Sequence, residues 1–439
     1  MVTFNQVLPA LVRVCEAAPG MLDLARCCAV RDLGGRVRLI VDPAPNAPTR
    51  LDIPALCRAL EQELRSYFVG PIWSTGAAVN EAKFARKVFD QAEPWSDATY
   101  DDPSSGLTQI SKAPWSKFER RLSKQVWLES DDIGPPWKLG EGPGIVTFYS
   151  FKGGVGRTTA LAACAWQLAR QGKRVVILDL DLEAPGIGTL LGAETDRGIV
   201  DFLVDYLATS GGDLDGLVAS AEAIGGDKER VSVLPAGVLD QRYLEKLGRL
   251  DFLGSDPQGT AAVSPVEQAL RELLLRVRQL RPDYILIDSR AGLHDLAGLS
   301  LHRLAHVDVL VSRASEQGYR GLDLTVGALA QRKDLAQLQC IVVHTMAPTP
   351  GTLEAEIEEK DFRSRSYAMF RKYIYAKQGG ATINEDNPSA PHVPIVVRND
   401  TDLPRSTPLE AIEPSYFKPG FAALRAQIEE MCKVEGAAE

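Results

Sequence analysis

The stretch Ile145-Val-Thr-Phe-Tyr-Ser-Phe-Lys-Gly-Gly-Val-Gly-Arg-Thr-Thr159 limits what this chain can be more than any other. A short apolar run leads into a glycine-rich turn, and the turn leads into Ala160–Arg170, which is rich in helix formers. Strand, glycine turn and helix, in that order, are the setting a phosphate-cradling loop requires. Gly153, Gly154 and Gly156 let backbone N–H groups approach an anion with no Cβ in the way, and Val155 and Thr159 belong to the same turn. A helix starting near Thr158 adds unpaired N–H donors and the positive end of its dipole. Thr158 also has the position of a hydroxyl that ligates Mg²⁺. The usual spacing, G-x-x-x-x-G-K-[ST], is broken twice. Phe151 replaces the first glycine and Arg157 the lysine, while Lys152 is an added cation.

Two further segments end apolar runs in carboxylates. Arg174-Val-Val-Ile-Leu-Asp-Leu-Asp181 places Asp179 at a strand's carboxyl end and Asp181 two residues on, with both side chains on one face if the strand persists. Arg281-Pro-Asp-Tyr-Ile-Leu-Ile-Asp-Ser-Arg-Ala-Gly292 ends a second run at Asp288. Carboxylates so placed beside a phosphate loop can order Mg²⁺ or orient an attacking water. Solvated acids in a turn before Pro185-Gly186 are the alternative for the Asp179–Asp181 pair.

From Ile145 onward apolar runs alternate with helical stretches, which predicts an α/β fold: a mostly parallel sheet with helices on both faces. The expected strands are Ile145–Ser150, Arg174–Asp179, Val231–Leu234, Tyr284–Asp288, Val307–Ser312, Cys340–His344 and Val393–Val397. Expected helices include Ile199–Leu207, Pro265–Leu280 and Leu322–Gln331.

The string Lys152-Gly-Gly-Val-Gly-Arg-Thr-Thr159 resembles the deviant Walker A motif of the ParA/MinD family of P-loop ATPases, and Asp288-Ser-Arg-Ala-Gly292 resembles that family's D-S-P-A-G, with Arg290 in the proline's place. Val231–Gly237 is similar to its L-P-A segment. The resemblance covers roughly residues 145 to 432. It implies ATP and Mg²⁺ as cofactors and an ATP-dependent homodimer in which Lys152 reaches the partner's nucleotide, while Arg157 binds phosphate in cis. It implies further that Asp181 lies near the hydrolytic water, that Thr158, Asp179 and Asp288 serve the metal, and that Gly292 brings an N–H to the γ-phosphate. The family's adenine-reading asparagine-arginine is missing, since His344 and Thr345 stand at the end of that strand.

The other 140 or so residues carry no chemical motif. Three parts are expected: a small α/β unit over 1–98, a linker over 99–143, and the ATPase domain over 144–439. In the first, Val7–Cys15 and Met21–Val30 have helical spacing, Arg36–Asp42 reads as a strand, and Asp52 caps a helix from Ile53 to about Phe68. Trp115–Trp127 reads as a basic amphipathic helix. The first unit is expected to dock or recruit a protein partner.

A net charge of −9 argues against non-specific binding to nucleic acid or anionic lipid by the whole molecule. The seven cysteines lack C-x-x-C spacing and no run approaches a membrane span, so a cytoplasmic protein without membrane contact is expected. His302 and His306 are four apart without an evident third ligand and are read as ordinary helix positions. Arg363–Lys377 mixes basic and aromatic residues, yet acids precede it, so nucleic-acid contact is not favoured. The apolar stripe of Phe421, Leu424, Ile428 and Met431 is read as packing on the core. The expected activity is slow ATP hydrolysis by a dimer switch acting on a partner. Its rivals are a nucleotide-binding scaffold in a multi-gene bacterial system, including an anti-phage one, and a DNA-partitioning ATPase.

Overall fold

The computed structural model describes residues 2–44, 50–120, 125–128, 133–250, 263–331, 338–377, 383–403 and 409–433. The chain divides into two compact units, Met1–Leu122 and Ser123–Glu439.

The first unit is built on β1 (Leu24–Arg31), β2 (Val37–Pro43), β3 (Trp73–Ser74), β4 (Glu93–Pro94) and β7 (Trp115–Glu119), in the order β3-β2-β1-β7-β4. A separate hairpin pairs β5 (Thr99–Asp101) with β6 (Thr108–Ile110). Helices Val7–Glu16 and Ile53–Leu64 form as expected, the second capped by the Asp52 carboxylate on the Ala55 N–H at 2.9 Å. Two expectations are corrected. Met21–Val30 is a short 3₁₀ turn followed by β1, and Trp115–Glu119 is β7, not the start of a basic helix. The reason is the same for both. Cys27 and Ala29 enter one apolar cluster and Cys28 the other, with Val30 packed against it, so a strand covered on both faces loses the alternation that identifies it. Trp115 and Phe118 likewise belong to opposite faces. The expected linker is divided in turn. Residues 99–120 belong to the first unit, while Trp127 and Trp137 are buried in the second. Residues 121–124 of the expected helix lie outside the described residues.

The second unit contains an eight-stranded sheet. Its strands are β8 (Gly144–Tyr149), β9 (Val175–Leu180), β10 (Ala219–Ser220), β11 (Val231–Leu234), β12 (Tyr284–Ser289), β13 (Val307–Arg313), β14 (Cys340–Ala347) and β15 (Ile395–Arg398). The order is β10-β11-β9-β12-β8-β13-β14-β15, and every pairing is parallel except β10 with β11. All seven expected strands are present, as are the three helices, at Ile199–Thr209, Pro265–Arg278 and Glu316–Leu329.

Side chains of β8, β9 and β12 sort by parity. Ile145, Val176, Leu178, Ile285 and Ile287 pack with helices Ile199–Thr209 and Pro265–Arg278. Val146, Phe148, Ile177 and Leu286 pack with helix Arg157–Arg170. That helix is buried nearly all round, and its run of alanines lets it lie between the sheet and helix Pro419–Met431. Phe421, Leu424 and Ile428 face that core, as their spacing predicted. The chain leaves β8 toward β9 on one side and returns from β12 to β13 on the other. The sheet therefore reverses direction beside β8, where parallel α/β sheets bind ligands at the carboxyl ends of their strands.

Candidate nucleotide site

Residues 150–156 link β8 to helix Arg157–Arg170 at that reversal. Gly154 and Gly156 have φ of 71° and 85°, and Gly156 is the residue before the helix; a side chain at either would be strained. A Cβ built on Gly153, Gly154 or Gly156 meets no atom within 4 Å, so the loop opens onto space of the kind a phosphate group needs. Phe151 does not enter that space. Its ring lies against Gly321 on helix Glu316–Leu329, where a Cβ would overlap it. Val155 is buried, and its carbonyl accepts a hydrogen bond from Thr345 Oγ1 at 2.7 Å. Lys152 is exposed and makes no ion pair among the described residues.

Neighbouring strands assemble the acids. Asp288 on β12 is in register with Asp179 on β9, and both point toward helix Arg157–Arg170. Two buried carboxyls side by side are costly when charged. Burial, reinforced by Asp288, raises the Asp179 pKa well above the ordinary carboxylate range. Burial also raises Asp288, against the opposing pull of Arg157. Asp179 accepts N–H bonds from Asp181 at 3.2 Å and Gly186 at 3.1 Å, so it shapes the turn that follows β9.

Arg157 ties the remaining acids together. Its Nε donates to Asp288 Oδ1 at 2.6 Å and its Nη2 to Asp181 Oδ2 at 2.8 Å, while Thr158 Oγ1 donates to Asp288 Oδ2 at 2.7 Å. Burial alone would lower the Arg157 pKa; Asp288 and Asp181 outweigh it and raise it.

The second acidic segment continues into Gly292, whose φ is 78° and whose N–H donates to the Ser150 carbonyl at 3.1 Å. Arg290 pairs with Glu183 of the same chain. Thus Arg157, Thr158, Asp179, Asp181, Asp288 and Gly292 are brought together, while Thr159 lies on the first turn of the helix. Sequence reasoning missed Glu183, and it saw Thr345 only at a base-reading position, not as a partner of the loop. Thr345 carried a readable signal, since it ends a strand beside the loop.

The other candidates resolve as structure. His306 lies just before β13, past the helical turn Ser300–Leu304 and so not at the helix position expected, and accepts the Ile145 N–H through Nδ1 at 2.9 Å; the His302 side chain lies outside the described residues. His344 is buried, stacked on Phe362 at 4.4 Å and bonded to Glu358 at 3.0 Å. Phe370 and Ile374, in the basic-aromatic stretch, are buried too. All seven cysteines are free. Among the described residues, no helix is long and apolar enough to cross a membrane.

Residues 143–205 match the ParA family model, described as NUBPL iron-transfer P-loop NTPase. The septum site-determining protein MinD of Buchnera aphidicola subsp. Acyrthosiphon pisum is 26% identical over 196 residues, covering 44% of this chain and 61% of that protein. MinD of Escherichia coli K12 is 27% identical over 195 residues, with the same 44% and 61% coverage. The chain thus spans about three-fifths of the length of these relatives. Among solved structures, MinD complexed with Mg-ADP from Pyrococcus horikoshii OT3 aligns with 67% of this chain and 98% of its own, at 20% identity and a TM-score of 0.42.

Proposed function

Starting from a chain that carries a P-loop NTPase domain of the ParA/MinD type, we propose that it binds and slowly hydrolyses ATP as a nucleotide-dependent dimer switch controlling a protein partner. One observation carries the reading. An open glycine loop at a helix N-terminus lies directly beside the buried Asp181 and Asp288 and the half-buried Thr158.

The residues fit ATP with magnesium. Backbone N–H groups from Gly153 to Thr159 receive the β- and γ-phosphates, and Arg157 supplies the cis charge. Mg²⁺ needs few protein ligands when phosphate oxygens and water complete its shell. Thr158 and Asp288 would hold it, with Asp179 shaping the turn beneath. When bound, the ion neutralises charge on the transferring phosphoryl group. Asp181 orients the water, and Gly292 offers its N–H to the γ-phosphate after releasing the Ser150 carbonyl.

Lys152 is exposed at the loop's edge, suited to reach a second copy's nucleotide. A cation supplied in trans is worth on the order of 10³-fold or more in phosphoryl transfer. Phosphate release from the purified chain should therefore fall on the order of 10³-fold in Lys152→Ala, while ATP affinity changes little. Unchanged turnover would refute the role. The first unit is the proposed docking module for the partner.

A second reading, a nucleotide-binding scaffold with little hydrolysis, is favoured by the tie between Arg157 and Asp181, which occupies the carboxylate that would orient water. A phosphate-release rate at background in the wild-type chain, with ATP still bound, would select it. DNA partitioning gains no support from the basic-aromatic stretch, whose Arg365 is paired with Glu316 and Asp361.

A further inference from the structure

We infer that Arg157 is a built-in counter-cation that holds Asp181 and Asp288 closed to divalent metal until a triphosphate draws its guanidinium away. This rests on the reading that the glycine loop receives a triphosphate.

A planar guanidinium can satisfy two carboxylates at once, which a lysine ammonium at the same place does less well. Here the Arg157 fork spans Asp288 at 2.6 Å and Asp181 at 2.8 Å. Thr158 takes the second Asp288 oxygen at 2.7 Å, so both oxygens of that carboxylate are engaged by the chain itself. Arg157, Asp181 and Asp288 are all buried, so little water screens them. A dication bound to those oxygens would be placed against the guanidinium, and like charges in so dry a site repel strongly. Removing the guanidinium alone leaves buried carboxylates uncompensated, and these demand another cation.

An exit for the arginine is present. Arg157 is the first residue of its helix and adjoins the open space over Gly153, Gly154 and Gly156. A triphosphate settling there would offer oxygens in exchange for the carboxylates. Rotation of the side chain toward them uncovers Asp288 and Asp181 together. The consequence is an order of binding: nucleotide, alone or with its metal, precedes any metal on the protein. Reciprocity requires that each ligand then favour the other by the same factor.

The test uses Mn²⁺ as the probe and reads free Mn²⁺ by electron paramagnetic resonance, with the full chain and no nucleotide. Arg157→Ala should bind Mn²⁺ about tenfold or more tighter than wild type, within the usual range of coupling between sites. Arg157→Lys should fall between them, and adding Asp288→Asn to Arg157→Ala should abolish the gain. If Arg157→Ala does not fold, Arg157→Lys decides by the same comparison. Variants that bind Mn²⁺ no tighter than wild type overturn the inference. A parallel titration of wild type with ATP in metal-free buffer separates the two claims. ATP binding with unchanged Mn²⁺ affinity in the variants sinks this inference and leaves the nucleotide reading standing. No ATP binding sinks the nucleotide reading itself.

Discussion

Thr345 Oγ1 donates to the Val155 carbonyl at 2.7 Å, joining the end of β14 to the phosphate loop. The same hydroxyl lies 3.2 Å from the Ser312 carbonyl, and the single proton favours the shorter contact. Thr345→Val keeps the shape and removes the donor, leaving a buried carbonyl without its partner. Stability should drop by about 1–3 kcal/mol. Nucleotide affinity should fall more than the melting loss alone accounts for, since the loop is loosened. A thermal melt and an ATP titration on the same variant measure both.

Phe151 stands where phosphate loops of the usual spacing have glycine, and the reason lies on helix Glu316–Leu329. Gly321 presents bare backbone to the Phe151 ring. Gly321→Ala should overpack this contact and cost about 1–3 kcal/mol, because ring and helix must separate. The companion change Phe151→Leu in the Gly321→Ala background should recover part of that loss. Denaturant unfolding of the two variants checks the pairing.

His344 gives the chain a predictable pH response. Burial pushes its imidazole down from 6.5 to about 4, with Arg398 assisting and Glu359 opposing. The native state therefore keeps His344 neutral where the unfolded chain would protonate it. Its contribution is fully present above pH ~6.5 and is lost as pH falls toward ~4, by at most about 1.4 kcal/mol per unit and by about 3 kcal/mol in all. His344→Phe removes the titrating group while keeping an aromatic ring against Phe362. Urea midpoints measured from pH 7 to pH 4.5 should fall less steeply for this variant than for wild type.

The second unit was largely legible because its sheet is parallel and covered on both faces, so each strand reads as an apolar run between helices. Asp179 and Asp288 could be placed for the same reason: a run that ends in aspartate ends where ligands bind. The first unit was less legible. Cys27 to Val30 and Trp115 to Phe118 divide their side chains between two clusters, and apolar residues on both faces imitate helical spacing. The Arg157 tie was hidden differently. Sequence shows a cation beside a phosphate loop, but only the fold shows that Asp288 at the end of β12 and Asp181 just past β9 meet behind it. Thr345 was in view as a base-reading position, yet parity turns it toward the loop and turns His344 toward Phe362.

The proposal that Lys152 completes a second copy's site is tested most directly by mixing two inactive variants. Lys152→Ala and Asp181→Ala are purified separately, combined in equal amounts before ATP is added, and assayed for phosphate release. If lysine acts across a symmetric dimer and aspartate within its own protomer, each mixed dimer contains one intact site. Random pairing then restores about a quarter of the wild-type rate. A mixture no more active than its two components would contradict the account.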